Sequence, residues 1–126
     1  MNDRNNVIRE KSFAFALRVV KLCRLLADER REWVLSKQLL RSGTAIGALV
    51  REAEHAESKA DFIHKMAIAQ KEANESAYWL ELLHQSGSLN DKEFDSIIQN
   101  QTEISKILAS IILTSKGVKK MMNGEL

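Results

Sequence analysis

Apolar residues recur every three or four positions along most of this chain, which is the spacing of one face of an α-helix. The clearest run consists of Phe62, Met66, Ala69, Ala73, Ser76, Leu80 and Leu83. Two further runs consist of Leu39, Gly43, Ile46, Val50 and Ala53, and of Ile97, Gln101, Ile104, Leu108 and Ile111. Along the chain, only a short polar joint, residues 57–59, separates the run that ends at Ala53 from the run that begins at Phe62. That joint is short enough to predict an antiparallel pair.

The first segment, about residues 6–28, carries apolar residues over a wider arc than the roughly 100° that one core contact requires. Lys11, Arg18, Lys21 and Asp28 mark its predicted solvent-exposed stripe. We therefore expect this helix to have two neighbours, with another subunit as one candidate.

Two helix starts have a local signature. Ser58 with Asp61, and Asn90 with Glu93, have the spacing of a capping box, in which side chains satisfy the free N–H groups of the first turn. Leu89 precedes the second of these caps in the position of a hydrophobic staple. These signals place the third helix after Ser58 and the fourth after Asn90.

Gly87 and Gly117 follow the third and fourth segments, where glycine commonly ends a helix in the left-handed conformation. The chain has no proline, the commonest helix breaker. The pattern thus predicts an all-α, antiparallel, up-down-up-down four-helix bundle in one domain, residues 1–126. The predicted helices are about residues 6–28, 33–56, 59–86 and 91–116, with a frayed tail at 118–126.

Composition places the chain among soluble globular domains, with 44% hydrophobic and 29% charged residues. No apolar run approaches the roughly 18 to 20 residues that span a bilayer, and residues 1–10 lack the apolar core of a signal peptide. We expect a cytoplasmic protein with no membrane partner. Cys23 lies in an apolar run, residues 19–26, and is predicted to be a packing residue.

Two Glu-x-x-His pairs, Glu52 with His55 and Glu81 with His84, match the ligand scheme of di-iron helical bundles. Both pairs end consecutive antiparallel helices, so they should lie at opposite ends of the bundle, roughly 30 Å apart at 1.5 Å per residue. We therefore predict no metal site. No catalytic residue, cofactor site or small-molecule substrate site is predicted either. We therefore expect that this protein is not an enzyme.

The interface of the second and third helices carries one candidate ion pair at its edge. Arg51 flanks the second core stripe, and Glu72 and Glu75 flank the third. A pair between Arg51 and either glutamate would run along the edge of that interface and would fix its register.

Charge gives the one hint of function that composition carries. All eight arginines lie within residues 1–51, and residues 1–60 have a net charge of +4 against −2 for residues 61–126. A basic helix face can neutralise phosphates, although an ordinary solvated face is the alternative interpretation. The candidate nucleic-acid-binding residues are Lys11, Arg18, Lys21, Arg24, Arg30 and Arg31.

Three sequence blocks, SKQLLRSGTAIGA (36–48), SKADFIHKM (58–66) and KEANESAYWLELL (71–83), resemble a known family. It is the bacterial four-helix bundle family that includes proteins encoded in 23S rRNA intervening sequences, related to the accessory variability proteins of diversity-generating retroelements. The resemblance covers about residues 8–115. It implies an antiparallel four-helix bundle, a barrel-like homopentamer with basic surfaces, and no enzymatic activity.

The functional expectation is a non-enzymatic, oligomeric bundle that binds a macromolecule. The first choice is RNA, DNA or a nucleoprotein, bound through the basic residues of the first helix. The alternative is a protein-protein interaction scaffold with no nucleic-acid role, for which the wide apolar arc of that helix is the contact surface.

Overall fold

The computed structural model describes residues 3–117. These residues form four α-helices: α1 (Asp3–Asp28), α2 (Val34–Ala53), α3 (Lys59–Gln85) and α4 (Asp91–Lys116). Each helix packs on the next, and α4 returns to α1. The all-α four-helix bundle predicted from the sequence is confirmed. The tail predicted at 118–126 lies outside the described residues.

The predicted core stripes are buried. All five positions in each of the α2 and α4 stripes are buried, and in α3 six of the seven are, with Phe62 half-buried. The one amide on these stripes, Gln101, donates from Nε2 to the carbonyl of Ala73 at 2.8 Å and to Ser105 Oγ at 2.9 Å. A buried amide without partners would cost about 1 to 3 kcal/mol; here one partner comes from α3 and the other from the next turn of α4.

The capping signals are confirmed at α4 and in part at α3. Asn90 and Glu93 form a complete capping box, with both hydrogen bonds present. Ser58 accepts from the Asp61 N–H at 3.0 Å, but the Asp61 carboxylate accepts from the N–H of Glu57 instead of closing the box on Ser58. Both helix starts nevertheless have their free N–H groups partly satisfied by side chains.

Two helix ends differ from the predicted ones. Helix α1 begins at Asp3, about three residues earlier than expected, and α2 ends at Ala53 instead of residue 56. Beyond Ala53, the N–H groups of Glu54, His55 and Ala56 bond to carbonyls three residues back, at 3.0 to 3.2 Å. This tighter 3₁₀-type turn explains why the helical pattern of the sequence continues past the end of the α-helix.

Helices α1 and α2 approach each other closely at two glycines. A Cβ atom built on Gly43 would lie 2.9 Å from both Cγ atoms of Val19, whereas one built on Gly47 would lie 3.5 Å from Ser12 atoms. Glycine inside a helix costs roughly 0.5 to 1 kcal/mol relative to alanine. At Gly43 the close packing of the two helices accounts for that cost.

We expect Gly43→Ala and Gly47→Ala to have opposite effects on stability. At Gly43 the new methyl overlaps Val19, whose branched side chain is stiff about χ1, so the variant should lose about 1 to 3 kcal/mol. At Gly47 the methyl makes an ordinary contact and should add up to about 1 kcal/mol through helix propensity. Urea unfolding curves of the two variants measure both changes.

A control for this pair is Val19→Ala combined with Gly43→Ala. Removing the two Cγ atoms makes room for the new methyl, so the double variant should lose less stability than the sum of the single changes. Equal stability of Gly43→Ala and Gly47→Ala would contradict the close packing described at Gly43.

Candidate nucleic-acid interface

Three of the six candidate cations, Lys11, Arg18 and Arg30, contact residues of α4. Lys11 Nζ is 2.8 Å from Glu103 Oε1. Arg18 donates to the carbonyl and hydroxyl of Ser96, at 3.3 and 2.9 Å, and to Asn100 Oδ1. Lys11 and Arg18, which the sequence places on one solvent stripe with Lys21, also bridge α1 to α4 through these contacts.

Arg30 is the third of these cations and joins the two turns at one end of the bundle. Its guanidinium makes two bonds to the Glu93 carboxylate, at 2.8 and 2.7 Å, and one to the carbonyl of Ser88 at 2.8 Å. These hydrogen bonds, together with the backbone N–H of Asn90, hold the pKa of Glu93 below its usual range. A two-point arginine–carboxylate pair restricts both side chains, so Arg30 has a structural partner inside the protein.

Lys21 and Arg24 differ from these three. Both side chains are exposed, and neither makes a hydrogen bond or ion pair with any residue in the range 3–117. Arg31 follows α1 with a left-handed backbone, φ 59°, and its guanidinium lies 5.3 Å from the ring centroid of Trp33. The turn between α1 and α2 thus places the Arg31 guanidinium beside the exposed indole of Trp33.

A groove of about 400 Å³ lies between α1 and α2 at this end. Arg24 lines it from α1 and Lys37 from α2, and Trp33 lies at the start of α2 with 49% of its surface exposed. The remaining lining residues are Val20, Cys23, Ala27, Asp28, Ser36 and Leu40. Lys37, like Arg24, has no polar partner among the residues the structure describes. We call Lys21, Arg24 and Lys37 the α1/α2 cations.

Exposed apolar residues continue this surface along α1. Phe13 and Leu17 are 50% and 47% exposed, and with Val20 and Arg24 they follow the 4-3-4 spacing that places four side chains on one helix stripe. The Arg51 guanidinium lies 5.0 Å from the Phe13 ring centroid. An apolar stripe of α1 therefore leads into the groove and has a cation at each end.

The two glutamates considered as partners of Arg51 bond to Arg41 instead. Arg41 bonds to Glu72 at 3.2 Å and also to Glu75. Glu75 also accepts from Trp79 Nε1 at 3.0 Å, and these hydrogen bonds lower the pKa of its carboxyl, the indole bond being the larger cause. The pair lies between α2 and α3, as expected for the glutamates, but nearly three helical turns earlier along α2 than Arg51.

The cysteine and two of the histidines lie in surroundings that do not favour catalysis. Burial raises the pKa of the Cys23 thiol to about 11, and its Sγ donates to the Ser36 carbonyl at 3.2 Å, which makes it a poor nucleophile. His84 lies 2.7 Å from Asp91 and stacks on Phe94, with a centroid separation of 4.3 Å. His55 lies in the turn after α2 and is exposed.

Metal-binding and membrane-spanning features are both absent from residues 3–117. No group of three or more histidine, cysteine or acidic side chains is arranged to hold a metal ion there. Among the same residues no helix is long and apolar enough to cross a membrane.

Sequence reasoning missed Lys37 as a member of the basic surface. Its helix carries its core stripe on the opposite side, so the residue was identifiable as exposed, but nothing in the pattern of α2 alone points to α1. The predicted helix over residues 33–56 begins at Trp33, for which the sequence alone suggests no role. One feature of the sequence could have identified both residues. Trp33 and Lys37 lie one helical turn apart at the N-terminal end of α2, directly after the turn that joins it to α1.

Comparison with known proteins gives one family. The family model of 23S rRNA-intervening sequence proteins matches residues 4–110. A crystal structure from Bacteroides thetaiotaomicron, of a protein with unknown function from the S23 ribosomal protein family, is similar at 53% sequence identity and a TM-score of 0.86. That match covers 86% of this chain and 97% of the other. No curated protein matches.

We expect Arg30→Ala to lower the stability of the bundle and Arg24→Ala to leave it unchanged. Arg30 joins the two turns through Glu93 and Ser88, but the pair is partly exposed, so the loss should be at most about 1 kcal/mol. Arg24 has no such partners among the described residues. Thermal and urea unfolding of the two variants at neutral pH would show the difference. Equal losses of stability would contradict the conclusion that Arg30, and not Arg24, stabilises the bundle.

The effect of Arg30→Ala should also depend on pH. Because the folded-state pKa of Glu93 is lowered, the pair stabilises the protein fully above the ordinary glutamate pKa, about 4.3. That contribution is lost as the pH falls through the folded-state value. Unfolding curves of the wild type and Arg30→Ala should therefore converge in acid. A stability difference that is constant from neutral pH to about pH 3 would rule out a role for the Glu93 charge.

Proposed function

The chain belongs to the family of 23S rRNA-intervening sequence proteins, and from that premise we propose that it is a non-enzymatic, self-associating bundle that binds nucleic acid, free or in a nucleoprotein. The observation that carries the proposal is the set of α1/α2 cations, two of which, Arg24 and Lys37, line a groove with the exposed Trp33. These cations have no partner within residues 3–117. A cytoplasmic location is part of the proposal.

The binding surface proposed here is smaller than the set of first-helix cations. Lys11, Arg18 and Arg30 have acidic or polar partners on the α4 side, and binding phosphate would require breaking those contacts. Lys21, Arg24 and Lys37 can approach a phosphate at no such cost. Affinity should then arise mainly from counterion release and fall steeply with salt.

Self-association is the second part of the proposal. Phe13 and Leu17 are about half exposed on one stripe of α1, and apolar surface of this kind is commonly covered in an assembly. The sequence resemblance to the pentameric bundle proteins suggests five copies. Repetition of the α1/α2 cations around a closed ring would multiply their field.

A protein partner is the alternative, and the same exposed apolar stripe favours it. Such a scaffold would use Phe13 and Leu17 for the contact, would bind its partner with little dependence on salt, and would keep that partner after nuclease treatment. The nucleic-acid proposal predicts the opposite behaviour on each count, so the two functions can be separated.

We expect the protein to bind structured RNA or DNA with an affinity that falls as salt rises, and the Lys21→Glu, Arg24→Glu double variant to abolish most of it. For every phosphate that the variant no longer neutralises, the slope of log affinity against log salt should become shallower by about 0.7 to 0.9. Fluorescence anisotropy over a salt series measures both quantities. Arg18 is left unchanged because its replacement would also disturb the α1/α4 contact.

The matched control is Lys59→Glu with Lys106→Glu. Both lysines are exposed, and the variant has the same net charge as Lys21→Glu with Arg24→Glu, so it removes the non-specific effect of charge. Binding that is indifferent to salt would contradict the proposal. Equal loss of affinity in the two double variants would contradict the assignment to the α1/α2 cations.

Light scattering tests the assembly. We expect a mass five times that of the 14.3 kDa chain, and dissociation by Leu17→Asp, because a carboxylate on the apolar stripe would have to be desolvated in the interface. Leu113→Asp, at a leucine of similar exposure on α4, is the control and should leave the mass unchanged. A monomeric wild type would overturn this part of the proposal.

A further inference from the structure

We propose that the groove between α1 and α2 receives one unpaired base together with its neighbouring phosphate, so that the protein prefers single-stranded nucleic acid to duplex. This inference rests on the proposed function, because it names the form of nucleic acid that the same surface binds. It depends on three features of the groove: its apolar lining, its aromatic residue and its unpartnered charges.

The groove has the size and lining for a flat, largely apolar group. Its volume of about 400 Å³ lies within the range of roughly 300 to 1,000 Å³ typical of ligand sites. Val20, Ala27 and Leu40 give it apolar walls, and the half-exposed Trp33 gives it an aromatic surface. A base has a π-face that stacks on such a side chain whatever its identity.

The charges fit a nucleotide better than an apolar side chain. Arg24 and Lys37 approach the groove from different helices and have no polar partner among the described residues. Arg31 adds a third positive charge over Trp33. A purely hydrophobic partner would desolvate these cations without compensation, whereas a phosphate would pair with them. The charge complementarity therefore favours a nucleotide as the occupant.

The groove also contains one carboxylate, Asp28. A carboxylate accepts hydrogen bonds and repels phosphate, and the amino group of cytosine is a donor that acidic side chains bind. The groove thus has an acceptor suited to the base and donors suited to the phosphate. Cytidine-containing strands are for this reason the appropriate probe.

A base within a duplex cannot use this groove. Paired bases are stacked on their neighbours, and their π-faces become available only when the base leaves the stack, at a cost of a few kcal/mol. A duplex would therefore contact only Lys21, Arg24 and Lys37 through its phosphates. The aromatic residue should contribute to single-strand binding alone.

The test uses the full chain and fluorescently labelled oligocytidine strands of about 12 nucleotides, in RNA and DNA form, with the matching duplexes. We expect single strands to bind more tightly than duplex of equal length. Trp33→Ala should weaken single-strand binding at least about 5-fold, the lower limit for removal of one base stack, and leave duplex binding unchanged. Trp33→Phe, which keeps an aromatic face, should retain most of the affinity.

A second measurement uses the protein's own fluorescence. Single-strand binding should quench the emission of Trp33, and this quenching should be absent in Trp33→Phe, where Trp79 remains. Trp79 is partly buried and donates to Glu75, so it serves as an internal reference. Comparison of the RNA and DNA strands shows whether the ribose matters to the site.

The outcomes separate this inference from the proposed function. If single strands and duplexes both bind in a salt-dependent manner, yet Trp33→Ala weakens them equally or not at all, the groove proposal fails and the proposed function stands. If neither form binds, both fail. Unquenched Trp33 emission with a saturating single strand would likewise overturn the groove proposal.

Discussion

The contact between Gly43 and Val19 fixes how closely α1 and α2 can approach, and much of the remaining structure depends on that distance. With no Cβ at Gly43, the Val19 side chain lies where a methyl group would otherwise be. One turn further along α1, toward the α1/α2 turn, Cys23 Sγ lies 3.2 Å from the Ser36 carbonyl oxygen. The groove beside Trp33 is the outer side of this interface. Its width is therefore set by packing in the interior, although its lining is a surface feature.

The position of α4 decides which cations of α1 remain available. One edge of α1 faces α4, and there Lys11 and Arg18 are bonded to Glu103 and Ser96. The opposite edge faces α2, where Arg24 has no acidic residue of that helix within reach among the described residues. Cations on one helix thus differ in availability because the neighbouring helices differ in the polar partners that they present. Net charge counted along the sequence overstates the available field for this reason.

Features determined within one helix could be predicted from the sequence, and features determined between helices could not. The stripe from Met66 to Leu83 follows from helical periodicity, and the cap at Asn90 follows from spacing within one turn. The choice of Arg41 over Arg51 as the partner of Glu72 depends on the relative rotation of α2 and α3. Long side chains add to this uncertainty, because their reach covers more than one turn of the facing helix. The candidate site fell in the second category, and Lys37 was missed for that reason.

The proportions of the groove suggest how binding strength would be achieved. A site with one aromatic residue and two unpartnered cations offers a single stack and about two phosphate contacts, and Asp28 offsets part of their charge. Such a site is weak alone, since each stacked base contributes roughly 1 to 3 kcal/mol and association itself has a substantial entropic cost. Linked copies change this result, because a strand held at one groove meets the next at high effective concentration. In the proposed assembly, several modest grooves facing one strand would together supply the affinity that one groove lacks.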